Sequence, residues 1–278
     1  MVWGGGVMVN KRGVKELSGR ELAGFVKERQ DQAVRSLLGR GVRPTLLILR
    51  DSDNPVITKY VNLKKRYGED IGVKVIDRVA PAEELGGVIE EANEDKGVSG
   101  MIVQLPLSEK DLTDEIVQKI TAEKDVDGLS GRGRFDSATA TAINWLLAGH
   151  NVELEGKKIA VVGRGRLVGA PLIRMWRNSG YDLEVFGHDS DLGKLREYDV
   201  IVTATGVPHL IRPEMLKEGV VIVDAGTASE DGVLVGDVDD EVRGCGKVGA
   251  ITPKIGGVGP LTVGVLFENV IAAAGRLG

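Results

Sequence analysis

The chain has 278 residues with 42% apolar content, enough for two ordinary α/β domains, each with a core of normal size. Its net charge of −5, with acids and bases interspersed, argues against a broad nucleic-acid surface, since phosphate-backbone binding needs a clustered basic excess; any anionic ligand has to be met locally. The single cysteine, Cys245, excludes an internal disulfide, and neither it nor His150, His188 and His209 fall at metal-ligand spacing, which points to no metal and a reducing compartment. Residues 1–6 lack the basic start and apolar run of a secretory signal, and no segment approaches the length needed to span a bilayer. A cytoplasmic protein with no membrane partner is expected.

In chain order, Ser18-Gly19-Arg20-Glu21 has the form of a capping box and opens a helix to about residue 40, and residues 44–50 read as a buried strand. Asn54-Pro55 starts the next helix, because proline fixes φ and suits a first turn, so Tyr60 and Lys64, four apart, share one face. If that face is partly desolvated, the ammonium form is disfavoured and Lys64 becomes a base near neutral pH; taken alone, the pair reads first as an ordinary solvated face, and it is the other motifs that change this. A strand at 73–79, a helix at 81–96 and a strand at 100–103 follow, the last ending in Gln104-Leu105-Pro106-Leu107. Strands alternating with helices imply a parallel sheet, whose ligand crevice lies at the carboxyl ends of the strands, where Gln104 stands.

After a helix near 111–121 comes a charged turn, Glu123-Lys124-Asp125-Val126-Asp127-Gly128, and then a helix at 139–149. A new unit starts near residue 155. A strand at 157–163 runs through the glycine turn Gly163-Arg164-Gly165-Arg166-Leu167-Val168-Gly169 into a helix that ends at Gly180. Strands at 183–186, 200–203, 220–223 and 249–251 complete a doubly wound sheet, and 261–277 reads as one apolar helix packed back on the first domain.

Gly163, Gly165 and Gly169 are spaced one residue wider than the usual dinucleotide fingerprint. The physics is unchanged: glycines let the backbone turn tightly and approach a pyrophosphate at a helix amino terminus. Asp189 lies 26 residues beyond Gly163 at the end of the next strand, where a carboxylate accepts hydrogen bonds from a ribose 2′-OH and favours NAD. Arg164 and Arg166 in the turn can instead pair with a 2′-phosphate and favour NADP.

Together these segments resemble the bifunctional methylenetetrahydrofolate dehydrogenase/methenyltetrahydrofolate cyclohydrolase (FolD) family almost end to end. The residues that carry the resemblance are Asn54-Pro55 with Tyr60-Val61 and Lys64, Gly100 through Leu107, Lys124-Asp125-Val126-Asp127-Gly128, Val161-Val162-Gly163-Arg164, Val168-Gly169-Ala170-Pro171, and Ile251-Thr252-Pro253 with Gly256 through Thr262. The resemblance implies an α/β fold of two domains with a cleft between them. The first, 1–140 plus 262–278, holds the folate; the second, 141–261, is a Rossmann-like doubly wound sheet that holds the dinucleotide. It further implies Lys64 as the catalytic lysine, Tyr60 as the ring-stacking tyrosine, Gln104 as the support of the lysine and Asp127 as the pterin-binding aspartate. Gly256 and Gly257 fall near the folate, and Gly163, Arg164, Gly165, Arg166, Gly169, Asp189 and Thr227 fall at the dinucleotide. The implied activity is oxidation of 5,10-methylenetetrahydrofolate and hydrolysis to 10-formyltetrahydrofolate by a homodimer, in the one-carbon metabolism that feeds purine biosynthesis, with NADP as the family's usual cofactor.

The chain departs from the family pattern in places. Ser137-Ala138-Thr139-Ala140 replaces Pro-Cys-Thr-Pro, Gly165 and Asp189 each replace a serine, Ile255 replaces a proline before Gly256, and Ile57 replaces a serine. A carboxylate at Asp189 repels a 2′-phosphate and keeps NAD open. Three rival readings stand beside the bifunctional one: a dehydrogenase without hydrolase, a non-catalytic dinucleotide sensor or scaffold, and a shikimate-type dehydrogenase. The first leaves the presence of both Lys64 and Gln104 without a use, and the last leaves Gln104 and the Asp127 turn unexplained.

Overall fold

The computed structural model describes residues 14–230 and 233–277, so the amino-terminal segment read above for a signal lies outside the described residues. The elements in order are β1 Lys15–Glu16, α1 Gly19–Gly39, β2 Thr45–Arg50, α2 Pro55–Ile71, β3 Lys74–Val79, α3 Leu85–Glu94, β4 Gly100–Val103, α4 Thr113–Gln118 and α5 Ala138–Gly149. They continue with β5 Ile159–Val162, α6 Gly169–Asn178, β6 Leu183–Phe186, β7 Val200–Thr203, β8 Val220–Asp224, β9 Ala228–Glu230, β10 Val233–Val235, β11 Val248–Ile251 and α7 Val258–Leu277. They form two compact units: a three-stranded one from residues 23–138 with 262–277, and a six-stranded one from 14–22 with 139–261.

In the three-stranded unit the order is β3-β2-β4, all parallel, with Leu46 opposite both Val75 and Gly100. β2 is central and all six of its residues are buried, as expected of a parallel strand covered on both faces. Arg50 ends it with a forked ion pair to Asp77, Nε to Oδ1 at 2.9 Å and Nη2 to Oδ2 at 3.1 Å, and reaches Asp53 at 2.6 Å. This arginine ties β2 to β3 and fixes the loop from which α2 begins. Asn54 caps α2, its Oδ1 accepting from Val56 N at 2.9 Å. Gly72 stops the helix at φ +78°, a conformation that only glycine adopts readily.

The helix expected at 81–96 is shorter and begins as a 3₁₀ turn, Ala82–Glu84. It ends at Glu94 because Asp95 turns extended and its side chain accepts from Gly97 N at 2.7 Å, closing a local turn in competition with the helix. The helix expected at 111–121 likewise shrinks to α4 behind a 3₁₀ turn.

The tail corrects one expectation, because Val258–Arg276 is a 19-residue stretch with mean hydropathy 1.5, long and apolar enough to cross a bilayer. Its apolar residues are used inside the three-stranded unit. Phe267, Val270 and Ala274 are fully buried, and Phe267 stacks on Tyr67 with ring centroids 5.0 Å apart. Gln30 Nε2 donates to Gly264 O at 2.7 Å and to Glu268 at 2.9 Å. α7 is thus a core helix.

The six-stranded unit has the parallel order β1-β11-β8-β7-β5-β6, and β9 and β10 form a separate antiparallel pair. β5, β7 and β8 supply its apolar centre, with Ala160, Ile201 and Ile222 fully buried. Residues 14–22 belong here and not with the folate-side domain to which 1–140 was assigned: Lys15 and Glu16 pair with Ala250 and Ile251, and Leu17 N donates to Ile251 O at 2.9 Å. A two-residue strand of Lys and Glu has no hydrophobic alternation, so nothing in the pattern announced it. The Phe267→Ala variant should lose about 3–5 kcal/mol of stability, read by urea unfolding of the three-stranded unit, because it empties the space between α7 and Tyr67.

Candidate functional site

α2 carries Tyr60 and Lys64 one turn apart, with Ile57 and Val61 buried beneath them. Gly68 lets the second half of α2 lie close on β3: a Cβ there would stand 2.5 Å from Val75 Cγ2. Lys64 Nζ donates to Gln104 Oε1 at 2.7 Å. Gln104 is the first residue after β4. Its backbone N–H is held by Leu49 O at 2.7 Å, and its Nε2 donates to Leu105 O at 3.1 Å, which leaves Oε1 for the amine. Burial lowers the Lys64 pKa, and the nearby Asp127 charge offsets only part of that. Tyr60 is half-buried and has no hydrogen-bond partner among the described residues, Lys64 included.

The Asp127 turn is built so that one carboxylate is left unused. Lys124 is buried and donates to Ala92 O and Asp95 O, both at 2.7 Å. Asp125, 1% exposed, accepts from Leu129 N, Ser130 N and Ser130 Oγ at 3.2, 3.0 and 2.6 Å. Val126 packs under Gly100, where a Cβ would meet Val126 Cγ1 at 2.3 Å, and its carbonyl accepts from Asn269 at 2.9 Å. The Asp127 carboxylate makes no hydrogen bond among the described residues. Burial pushes its pKa up to about 6, opposed by Lys64 and reinforced by Asp125. Lys124 and Asp125 were visible in the sequence only as members of a charged turn; the structure makes them its supports.

In the six-stranded unit, β5 runs into the glycine turn. Gly163 has φ +103°, and a Cβ there would stand 2.6 Å from Ala204 O. A Cβ at Gly169 would stand 2.3 Å from Gly163 O, whereas at Gly165 it would meet nothing closer than Ala204 O at 3.9 Å. The turn therefore requires glycine at 163 and 169 and tolerates a side chain at 165. Val168, at the N-cap of α6, offers no side-chain cap; Ala170 N–H donates to Gly165 O and Leu172 N–H to Val168 O, both at 3.0 Å, and Pro171 has no N–H, so the N–H of Gly169 is the one the first turn leaves for a ligand. This open cradle fits a pyrophosphate.

Residues 17–127 match the model of the tetrahydrofolate dehydrogenase/cyclohydrolase catalytic domain, and residues 137–277 match that family's NAD(P)-binding domain. The chain belongs to this family. It is 36% identical to the bifunctional protein FolD of Aquifex aeolicus, over 94% of this chain and 95% of that protein. The crystal structure of FolD from Campylobacter jejuni is 33% identical with a TM-score of 0.89, covering 95% of this chain and 99% of that one. FolD of Trypanosoma brucei, solved with NADP cofactor and an inhibitor, is 29% identical with a TM-score of 0.87, over 95% of this chain and 98% of that one.

Within the family's NAD(P)-binding domain the remaining candidates are spread out. Arg164 is exposed and Arg166 half-buried; Asp189, just past β6, is fully exposed and faces His188 Nδ1 at 3.1 Å. Thr227 is exposed just past β8. Gly256, at φ +94°, accepts on its carbonyl from Gly19 N at 2.9 Å, and a Cβ on it would meet Arg20 Nε at 2.4 Å. Gly257 comes as close: a Cβ on Gly19 would stand 2.0 Å from Gly257 O. Both glycines belong to the six-stranded unit, while Tyr60, Lys64, Gln104 and Asp127 belong to the three-stranded one.

Sequence reasoning missed a carboxylate pair, one buried and one half-buried, at the carboxyl ends of β7 and β8. Asp237, fully buried, accepts from Thr203 Oγ1 at 2.5 Å and Thr205 N at 2.7 Å. Asp224 accepts from the N–H groups of Gly226, Asp237 and Val238, each at 3.1 Å. Gly226 and Gly236 press against these carboxylates, and a Cβ would come within 1.9 and 2.0 Å of them. The only sequence signal was a glycine within two residues of each of two aspartates. The Gly169→Ala variant should bind NADP⁺ about tenfold or more weakly in a fluorescence titration, because its methyl drives into Gly163 O, while Gly165→Ser should keep the parent's thermal stability.

Proposed function

We propose that this protein oxidises 5,10-methylenetetrahydrofolate to 5,10-methenyltetrahydrofolate, with NADP⁺ as hydride acceptor, and then hydrolyses that product to 10-formyltetrahydrofolate, acting as a cytoplasmic homodimer. The observation that carries the reading is the buried Lys64 amine, hydrogen-bonded to Gln104 and with its pKa lowered. In this reading the three-stranded unit holds the folate and the six-stranded unit holds the dinucleotide. The pyrophosphate lies over Gly163, Gly165 and Gly169 at the start of α6, with Arg164, Arg166, Asp189 and Thr227 around it. Bound there, the nicotinamide supplies the hydride acceptor.

For hydride transfer no side-chain base is needed, because the lone pairs of N5 and N10 stabilise the cation that remains. The protein orients the pterin and excludes water: Tyr60 stacks on the ring, Gly256 and Gly257 border the folate, and Asp127 accepts paired hydrogen bonds from the pterin N–H and amino groups. Hydrolysis needs a base. With one N–H given to Gln104 Oε1, a neutral Lys64 keeps its lone pair for the proton of the attacking water. As the bond from the former bridge carbon to N5 breaks, the ammonium returns a proton to N5, the hydroxyl proton leaves to solvent, and the formyl group stays on N10.

Asp189 favours a second reading of the cofactor. Its fully exposed carboxylate past β6 suits a ribose 2′-OH and opposes a 2′-phosphate, whereas the exposed Arg164 suits the phosphate. Steady-state oxidation of methylenetetrahydrofolate with NADP⁺ and NAD⁺ in parallel, following the reduced cofactor and the methenyl product separately, tests function and cofactor together. Turnover with little methenyl build-up is expected, faster with NADP⁺. Methenyl accumulation points to a dehydrogenase alone, and no turnover with either cofactor defeats the proposal.

Two variants sharpen the roles. Lys64→Met should cut hydrolysis by about 10²–10⁴-fold and hydride transfer by much less; equal loss of both would count against a base. With Asp127 ionised only above about pH 6, kcat/KM for the folate should fall as the pH drops below that value. In Asp127→Asn this limb should vanish and KM rise about 10- to 100-fold, the loss of charge-assisted hydrogen bonds worth about 1.5–3 kcal/mol.

A further inference from the structure

Beside α6 and β6 lies a groove of about 420 Å³, lined by Arg164, Ala170, Ile173, Arg174, Arg177 and Asn178 with Val185 of β6. Residues 170, 173, 174 and 177 recur at helical spacing, so one face of α6 forms a wall of the groove along about 10 Å. Three arginines line the groove together with Ala170, Ile173, Val185 and the amide of Asn178, and no carboxylate lines it. None of the three arginines makes an ion pair or a side-chain hydrogen bond among the described residues. Glu184, next to Val185 on β6, is engaged elsewhere, accepting from the Tyr198 hydroxyl. A basic residue in the last turn of a helix is commonly explained by the helix dipole, which accounts for Arg177 but not for Arg174 and Arg164 lining the same groove. In a chain of net charge −5, such a concentration of unneutralised positive charge is local and directed.

We propose that this groove is an anion site distinct from the glycine turn, taking the polyphosphate chain of a small molecule. Guanidinium groups bind phosphate oxygens through paired hydrogen bonds, and three of them lining one groove match several linked phosphates better than one. The short apolar floor of Ala170, Ile173 and Val185 offers no competing acceptor, and Asn178 at one end adds an amide for a terminal oxygen. Arg174 and Arg177 belong to the groove alone, whereas Arg164 also belongs to the turn. The shared chemistry is a run of linked phosphates, whether inorganic or carried by a nucleotide.

Calorimetric titration of the full chain with sodium tripolyphosphate, and separately with ATP, tests the site. Saturable one-to-one binding that survives saturation with NAD⁺ is expected. The double variant Arg174→Gln with Arg177→Gln should weaken it at least about tenfold, while Arg43→Gln, an exposed arginine elsewhere, leaves it unchanged. Equal affinity for the two probes assigns recognition to the phosphates alone, and tighter ATP binding assigns it to a nucleotide. No saturable binding, binding indifferent to the double variant, or an equal loss in Arg43→Gln overturns the proposal. Thermal unfolding of the variants at the parent's temperature confirms that they are folded.

Discussion

A lysine amine kept from water is the constraint around which the three-stranded unit is arranged. Desolvation penalises its charge, and the charge of Asp127 compensates only in part, while Gln104 fixes where the amine points. For the amine to stay in that state, each neighbour has to be held. Gln104 is held by its backbone bond to Leu49 and by its own amide against Leu105, so its oxygen has one direction to face. Asp127 is held by a turn whose other members, Lys124, Asp125 and Val126, have their bonding capacity filled by the protein. The result is two groups, one basic and one acidic, both pushed by burial toward their neutral forms, the amine with a single hydrogen bond and the carboxylate with none among the described residues. Such opposed shifts are typical of sites that move protons.

In the six-stranded unit the ruling constraint is closeness of approach. Gly163 and Gly169 leave no room for a Cβ, and this is what exposes the start of α6. The carboxylates of Asp237 and Asp224 do similar work at the neighbouring strand ends, gathering the N–H groups of Thr205, Gly226 and Val238 so that the loops keep their shape. Burial raises the Asp224 pKa even though it accepts three backbone hydrogen bonds.

Much of this was legible in the sequence because it rests on local chemistry. Asn54-Pro55 announced α2, the run from Leu46 to Leu49 announced a buried strand, and the glycines after Val162 announced a turn at a helix start. The pairing of Lys64 with Gln104, 40 residues apart, was supplied by family resemblance and not by spacing, since only the sheet brings them together. What stayed hidden has physical reasons. β1 is made of a lysine and a glutamate and exists because β11 offers it an edge. α3 ends early because Asp95 prefers a local turn. α7 passes a test of length and apolarity for a membrane span, and only its packing on Tyr67 and Gln30 shows where its apolar surface goes. Gly165 looked like part of the fingerprint, yet no steric demand falls on it.

The most direct test is an NMR titration of the Lys64 side-chain nitrogen in the free protein and in an Asp127→Asn variant. The account predicts a Lys64 pKa below the usual lysine range, and lower still in the variant, because the Asp127 charge is the one influence holding it up. A Lys64 that titrates as an ordinary exposed lysine, or whose pKa rises when Asp127 is neutralised, would contradict the buried-amine site.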